Sequence, residues 1–250
     1  MSVFDGTADT YDAVRPDYPT ALYDDLVSFA ALQPGERLLE VGCATGKATR
    51  PLVERGFEIV CVEPGPTLAA RARTNLGIRV DQSTFETWAG EGGFALVYAA
   101  TAWHWLSPDV RFQRAHDAVR PGGHLAIWSA THAFPAGFDP FFTEIQAVYD
   151  ELGESWESTW PPPPPEEVPD ERELIEASGL FSDVSVSRYV WSRSYSAEEY
   201  VTLLSTFSGH IAMDAEKRGH LFREVRARLA HREVVRHWHA ILHVAQRLDV

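Results

Sequence analysis

Short apolar runs separated by helix-length amphipathic segments recur through the first half of this chain. Leu38 to Glu40, Phe57 to Val62, Ile78 to Val80, Phe94 to Tyr98 and His124 to Trp128 read as buried strands. Asp17 to Ala31 reads as a helix, with Pro19 near its start, Leu22, Leu26, Phe29 and Ala30 on one face, and Pro34-Gly35 behind it. Ala48 to Glu54 is a second, closed by Gly56, and another is capped by Ser107 with Pro108 and Asp109 in its first turn. Strands alternating with helices predict an α/β fold whose parallel sheet is covered on both faces. Ligands of such sheets bind beyond the C-terminal strand ends.

After Trp128 the pattern changes. Residues 130–139 read as a loop, Pro140 to Leu152 as a helix, and 153–170 as an acidic loop containing Pro161 to Pro165. Five prolines in a row make a stiff, extended segment without donor N–H groups. It reads as a spacer over the active-site edge in preference to a ligand for an SH3-like partner. Glu171 to Ser178 is helical up to Gly179. Val184 to Trp191 and Val234 to Val244 read as the last strands, the second alternating through Trp238, Ala240, Leu242 and Val244. Between them a helical insertion at 197–230, Ala197 to Phe207 then Asp214 to Leu229, reads as a lid or substrate cap. One domain, residues 1–250, accounts for the whole chain.

The stretch Leu38 to Thr49, LLEVGCATGKAT, passes from strand through a glycine-bearing turn into a helix, which aims backbone N–H groups at a ligand. The next strand ends in Glu63, where a carboxylate is placed to accept hydrogen bonds from both hydroxyls of a ribose. Glycine placement narrows the choice of nucleoside. A dinucleotide fingerprint needs glycine at 42, 44 and 47, where the chain has Gly42, Ala44 and Lys47. A Walker loop counted from Gly42 needs glycine at 47, and Gly46-Lys47 is followed by Ala48.

What remains, E-x-G-x-A-x-G, resembles the first motif of the class I S-adenosylmethionine (SAM) dependent methyltransferases, with Ala44 in place of the usual glycine. Tyr11 to Pro19 (YDAVRPDYP), Ser83 to Glu86 (STFE), the Trp103-His104-Trp105 run and Arg120 to Gly123 (RPGG) resemble, in order, further segments of the ubiquinone-biosynthesis and trans-aconitate methyltransferase group. The resemblance implies a Rossmann-like, doubly wound, seven-stranded, mostly parallel sheet with an antiparallel last strand. It also implies methyl transfer from SAM, with S-adenosylhomocysteine as product, to a small-molecule acceptor. On that basis Glu40, the backbone of Gly42, Cys43, Ala44 and Gly46, and Tyr11 hold the amino-acid end of the cofactor. Glu63 with Pro64 binds the ribose, Thr84 and Phe85 flank adenine, and Ala99 lies alongside. His104 is the candidate general base, its alternative being a packing element. Trp103 and Trp105 are candidate walls for the acceptor. Arg15 either binds an anionic substrate or pairs with a nearby acid.

Charge and composition restrict the partners. Acidic residues number 36 against 22 basic, a formal charge of −14, and such a surface repels a phosphate backbone, which disfavours DNA and RNA. No apolar stretch approaches the ~20 residues that span a bilayer, and the acidic start of the chain is unlike a signal peptide. Membrane association is therefore not expected, and the cytoplasm is. Cys43 and Cys61, the two cysteines, read as small buried hydrophobes, and no metal-ligand spacing occurs. Oligomeric state leaves no mark on the sequence. A second functional class stays open: a non-catalytic module that keeps the SAM fold as a scaffold.

Overall fold

The structure is a computed structural model that describes residues 13–154 and 160–250. Its strands are β1 (Arg37–Val41), β2 (Glu58–Val62), β3 (Arg79–Asp81), β4 (Phe94–Ala100), β5 (Val119–Trp128), β6 (Ala130–Ala133), β7 (Phe181–Tyr195) and β8 (Val234–Arg247). The first half carries helices α1 (Thr20–Phe29), α2 (Arg50–Glu54), α3 (Pro66–Leu76) and α4 (Arg111–Ala118). The second half carries α5 (Phe141–Glu151), α6 (Arg172–Ala177), α7 (Ala197–Leu204), α8 (Ser208–Ala212) and α9 (Ala215–Arg228).

All strands join one sheet, in which β3, β2, β1, β4 and β5 run parallel. β8 is antiparallel to β5, and its other edge is paired along its length with β7. β6 pairs with β8 beyond the end of β5 and on the same edge, so β5 and β6 share one of seven strand positions. This is the doubly wound, mostly parallel sheet expected from the alternation. Its first five strands deliver their C-terminal ends to one rim.

Two apolar layers sandwich the sheet. Leu22, Leu26, Leu38, Leu52, Cys61 and Leu242 belong to one, and Leu39, Val97, Phe112, Leu125 and Ile175 to the other. Adjacent residues such as Leu38 and Leu39 fall in opposite layers because side chains alternate along a strand. A third cluster, containing Phe141, Ile145, Leu203, Leu221 and Trp238, lies beneath α5, α7 and α9. Those helices form a cap over the far half of the sheet.

Several expected boundaries move, each for a local reason. The expected loop at 130–139 begins as β6, because Ala130 to Ala133 find open ladder positions opposite His237 to Ala240. The helix expected from Ser107 starts at Arg111; the Glu86 carboxylate holds the Ser107 N–H at 3.0 Å, and 107–110 forms a turn. The segment Arg120 to Gly123 is part of β5, with a register shift opposite Phe94 to Leu96. The expected helix from Ala197 to Phe207 stops at Leu204. There the hydroxyls of Ser205 and Thr206 donate to the carbonyls of Thr202 and Leu203, and Arg15 donates to the Thr206 carbonyl, drawing the backbone out of the helical ladder.

Leu242 is fully buried at the centre of β8. Leu242→Ala should destabilise the protein by about 2–5 kcal/mol in chemical denaturation. Val190→Ala, on the half-exposed β7, should stay within about 0.5 kcal/mol.

Candidate active site

The turn after β1 is closed by hydrogen bonds to the neighbouring strand. The Gly42 N–H donates to the Val62 carbonyl at 2.8 Å. Gly42 has φ +73, and a Cβ there would lie 2.6 Å from the Cβ of Ala102, so only glycine lets the ends of β1 and β4 approach this closely. Ala44 also takes a left-handed conformation, φ +48, and its N–H is held by a Glu63 carboxylate oxygen at 3.0 Å. The other Glu63 oxygen accepts the Gly65 N–H at 2.8 Å. Two backbone donors thus orient one buried carboxylate at the end of β2 and tie it to the turn after β1.

Glu40 is buried beneath the same turn, and one of its oxygens accepts the Thr49 hydroxyl at 2.5 Å and the Tyr98 hydroxyl at 2.7 Å. The sequence reading has Glu40 bonding either the turn backbone or the ammonium of the cofactor; among the described residues its side chain accepts these two hydroxyls. Burial pushes its carboxyl up to about 7, the two hydroxyl donors pull the other way, and the neighbouring Glu63 adds to the rise.

These groups open into one cavity of about 1500 Å³ that runs from the Gly42 turn to the underside of the cap. At the turn end it is lined by Glu40, Gly42, Cys43, Ala44, Glu63, Pro64, Thr84 and Phe85. The N-terminal segment closes one side. Arg15 and Tyr18 line the cavity, and the Tyr18 hydroxyl meets the Thr101 hydroxyl at 2.7 Å at the end of β4. Tyr11 lies outside the described residues.

Three candidates fall elsewhere. Gly46, φ +88, faces α3, where a Cβ would meet Leu76 Cδ1 at 2.4 Å; packing requires this glycine. Ala99 is fully buried in the layer behind the sheet, and the next residue, Ala100, lines the cavity. Trp103 is 4% exposed and packs edge-on against Phe112 at 5.2 Å, whereas Trp105 is 56% exposed and lines the cavity. The short 3-10 turn Trp103–Trp105 sends the two indoles in different directions. His104 lines the cavity mouth between them. Partial enclosure lowers its imidazole below the ordinary value; Glu171 opposes the shift and Arg111 reinforces it.

The cap end of the cavity holds residues that the sequence reading passed over. Phe134, Phe142, Tyr200, Phe207 and Trp238 form aromatic walls, and His132, His210 and Arg236 bring polar atoms among them. His210 Nε2 lies 2.8 Å from the Tyr149 hydroxyl, and burial, with help from Arg236, takes its imidazole down to about 4. His132 is held well below its ordinary value by the same two causes in the same order. One signal was present in the sequence. The inward alternation of β8 through Trp238 extends one step back to Arg236, a charged residue at a core-facing position.

Cys43, at the cavity wall, and Cys61 are buried free thiols. Among the described residues no group of three His, Cys, Asp or Glu side chains is placed to hold a metal ion. No described helix is long and apolar enough to cross a membrane.

A family profile described as a methyltransferase domain matches residues 15–163. An uncharacterized methyltransferase of Mycobacterium tuberculosis is 34% identical over 133 residues, covering 52% of this chain and 53% of that protein. A probable S-adenosylmethionine-dependent methyltransferase of Saccharomyces cerevisiae is 29% identical over 129 residues, 47% of this chain and 43% of that protein. The chain thus spans about half the length of these curated relatives. Among solved structures, a candidate type II methyltransferase of Anaeromyxobacter dehalogenans superposes with a TM-score of 0.63 at 20% identity, over 93% of this chain and 97% of that one. Phosphoethanolamine N-methyltransferase 2 of Haemonchus contortus, solved with phosphomonomethylethanolamine and S-adenosylhomocysteine, gives 0.54 at 15% identity over 100% of this chain and 61% of that one. At these identities the two structures share the fold.

The raised carboxyl of Glu40 makes a pH prediction. The folded state binds a proton at Glu40 that the unfolded state has released, so this contribution is complete below about pH 4.5 and is lost as pH rises through about 7. Glu40→Gln, a neutral isostere able to accept the same two hydroxyls, should remove that decline. At pH 8 the variant should be more stable than the parent by on the order of 2 kcal/mol, and at pH 4 the two should match, as read by urea denaturation.

Proposed function

The chain belongs to the methyltransferase-domain family, the class I SAM-dependent methyltransferases, and we propose on that footing that it transfers a methyl group from SAM to a small-molecule acceptor held beneath the helical cap. The observation that carries this reading is the single cavity joining the Gly42–Glu63 crevice to an aromatic chamber. Its volume exceeds the ~300–1,000 Å³ usual for a pocket holding one drug-sized ligand. Two reactants fit such a space, as group transfer requires, whereas a scaffold that only binds the donor has no need of the second chamber.

The crevice suits the donor on the chain's own geometry. Gly42, at the cavity wall, lets the ends of β1 and β4 close together there, and Glu63 is oriented by two N–H donors. A carboxylate at the end of the second strand is the group that accepts hydrogen bonds from a ribose diol in such folds. Phe85, buried at the cavity wall beside Thr84, offers a flat face for a purine. Glu40 supplies negative charge where a positively charged amino-acid end would lie, and an arriving cation favours its ionised form.

When bound, SAM supplies a methyl group already activated by its sulfonium. The protein's part is to align the acceptor with it and exclude water. Tyr18, the cap helices and the Trp160 side chain, which packs edge-on against Phe134 at 5.1 Å, close the chamber around the acceptor. His104, neutral near physiological pH, is positioned at the mouth to accept a proton from a protonated nucleophile. Two free buried thiols and the acidic surface fit a cytoplasmic enzyme acting on small molecules and not on nucleic acid.

Glu63→Ala should weaken S-adenosylhomocysteine binding by about 10–100-fold in calorimetry, the loss of hydrogen bonds to a charged acceptor; affinity equal to the parent would contradict the assignment. His104→Ala should leave that affinity intact and lower kcat by about 10²-fold or more. Unchanged turnover would remove His104 from the mechanism.

A further inference from the structure

Arg236 is a buried cation that forms no ion pair with any described carboxylate. It is 5% exposed, at an inward-facing position of β8 that lines the cap chamber. One terminal nitrogen donates to the Tyr200 hydroxyl at 3.4 Å, and Nε has no partner. The indole of Trp238 and the ring of Phe207 lie 4.4 and 5.1 Å from its guanidinium carbon. Burying a guanidinium without a counter-charge is unfavourable, and cation–π contacts return only part of the loss. His132 and His210, facing it from β6 and α8, are both held neutral, so neither offsets its charge, and Glu154, which also lines the cavity, is paired with Lys217 at 2.9 Å. Tyr149 and Tyr200, facing it from α5 and α7, have hydroxyls that burial keeps protonated.

We propose that Arg236 anchors a carboxylate of the methyl acceptor, which makes the acceptor an organic acid with a flat, apolar body. The guanidinium edge carrying the unpartnered Nε–H presents two parallel donors, a match for the two oxygens of a carboxylate. One buried cation balances one negative charge. A phosphate monoester, close to two charges, would call for a second cation, and Arg15, whose guanidinium carbon also lies over the Phe207 ring at 4.0 Å, is engaged by the hydroxyl and carbonyl of Thr206 at 3.0 and 3.1 Å. The aromatic walls around Arg236 select an apolar remainder. This inference rests on the methyltransferase reading for the identity of the chamber as the acceptor site.

The test is calorimetric titration of the whole chain, first with S-adenosylhomocysteine and then, loaded, with trans-cinnamate, 3-phenylpropanoate and octanoate, each beside its primary amide. The acids should bind about tenfold or more tightly than their amides. Arg236→Met should erase that preference with S-adenosylhomocysteine affinity retained, and Arg236→Lys should restore part of it. Equal binding of acid and amide by the parent protein, no binding by any acid, tighter binding of phenyl phosphate than of cinnamate, or a preference that survives in Arg236→Met would each overturn the proposal. The parent protein alone decides the matter if the Met variant does not fold. Failure of S-adenosylhomocysteine to bind would strike the methyltransferase reading instead, and the acid and amide comparison on the unloaded protein would then decide this one.

Discussion

One carboxylate ties the functional rim of this molecule together. Glu63, at the end of β2, accepts the backbone N–H of Ala44 in the turn after β1 and that of Gly65 at the start of α3. A left-handed conformation at a residue with a Cβ costs on the order of 1 kcal/mol, and Ala44 adopts it where this charge-assisted bond offsets the cost. The same bond links the turn after β1 to the end of β2, where the donor is proposed to bind. Parallel pairing of β1 with both β2 and β4 brings the partners of this turn within reach. The sheet order is therefore a condition of the site and not merely its support.

The buried charges of the cavity differ in sign, while the less buried Arg15, Lys47 and Glu154 also line it. Glu40 and Glu63 lie at the strand-end crevice, and Arg236 lies in the cap chamber. The first end favours a cationic ligand and the second an anionic one, and aromatic walls lower the screening between charges and ligands. On the proposed reading, the buried carboxylates and Arg236 give each reactant its own place. Binding energy can then go into alignment, the chief demand of transfer from an already activated methyl group.

Much of this architecture is legible in the order of residues because its causes are local. Gly42 and Glu63 follow from strand ends and turn chemistry, and the strands before Trp128 follow from apolar runs. The cap chamber is not legible in that way. Its polar atoms come from β6, α5, α7, α8 and β8, which are far apart in sequence and are brought together around the antiparallel β8. β6 itself has too few residues to show a period and exists because β8 offers it an edge. Spacing cannot tell Trp103 from Trp105 either, since the direction of each indole depends on a three-residue turn. Arg236 was within reach, as a charge at a core-facing step of an alternating strand, but its meaning needs the lack of an ion-pair partner among the described residues, which only the packed structure reveals.

The central claim is that the crevice between the Gly42 turn and Glu63 holds a SAM-type donor with its reacting end toward the cap chamber. A crystal structure grown with S-adenosylhomocysteine tests it most directly. The account predicts ribose hydroxyls on the Glu63 carboxylate, adenine against Phe85, and the sulfur facing the space beneath Tyr200 and Trp238. An empty crevice at saturating ligand, or the ligand bound elsewhere on the chain, would contradict it.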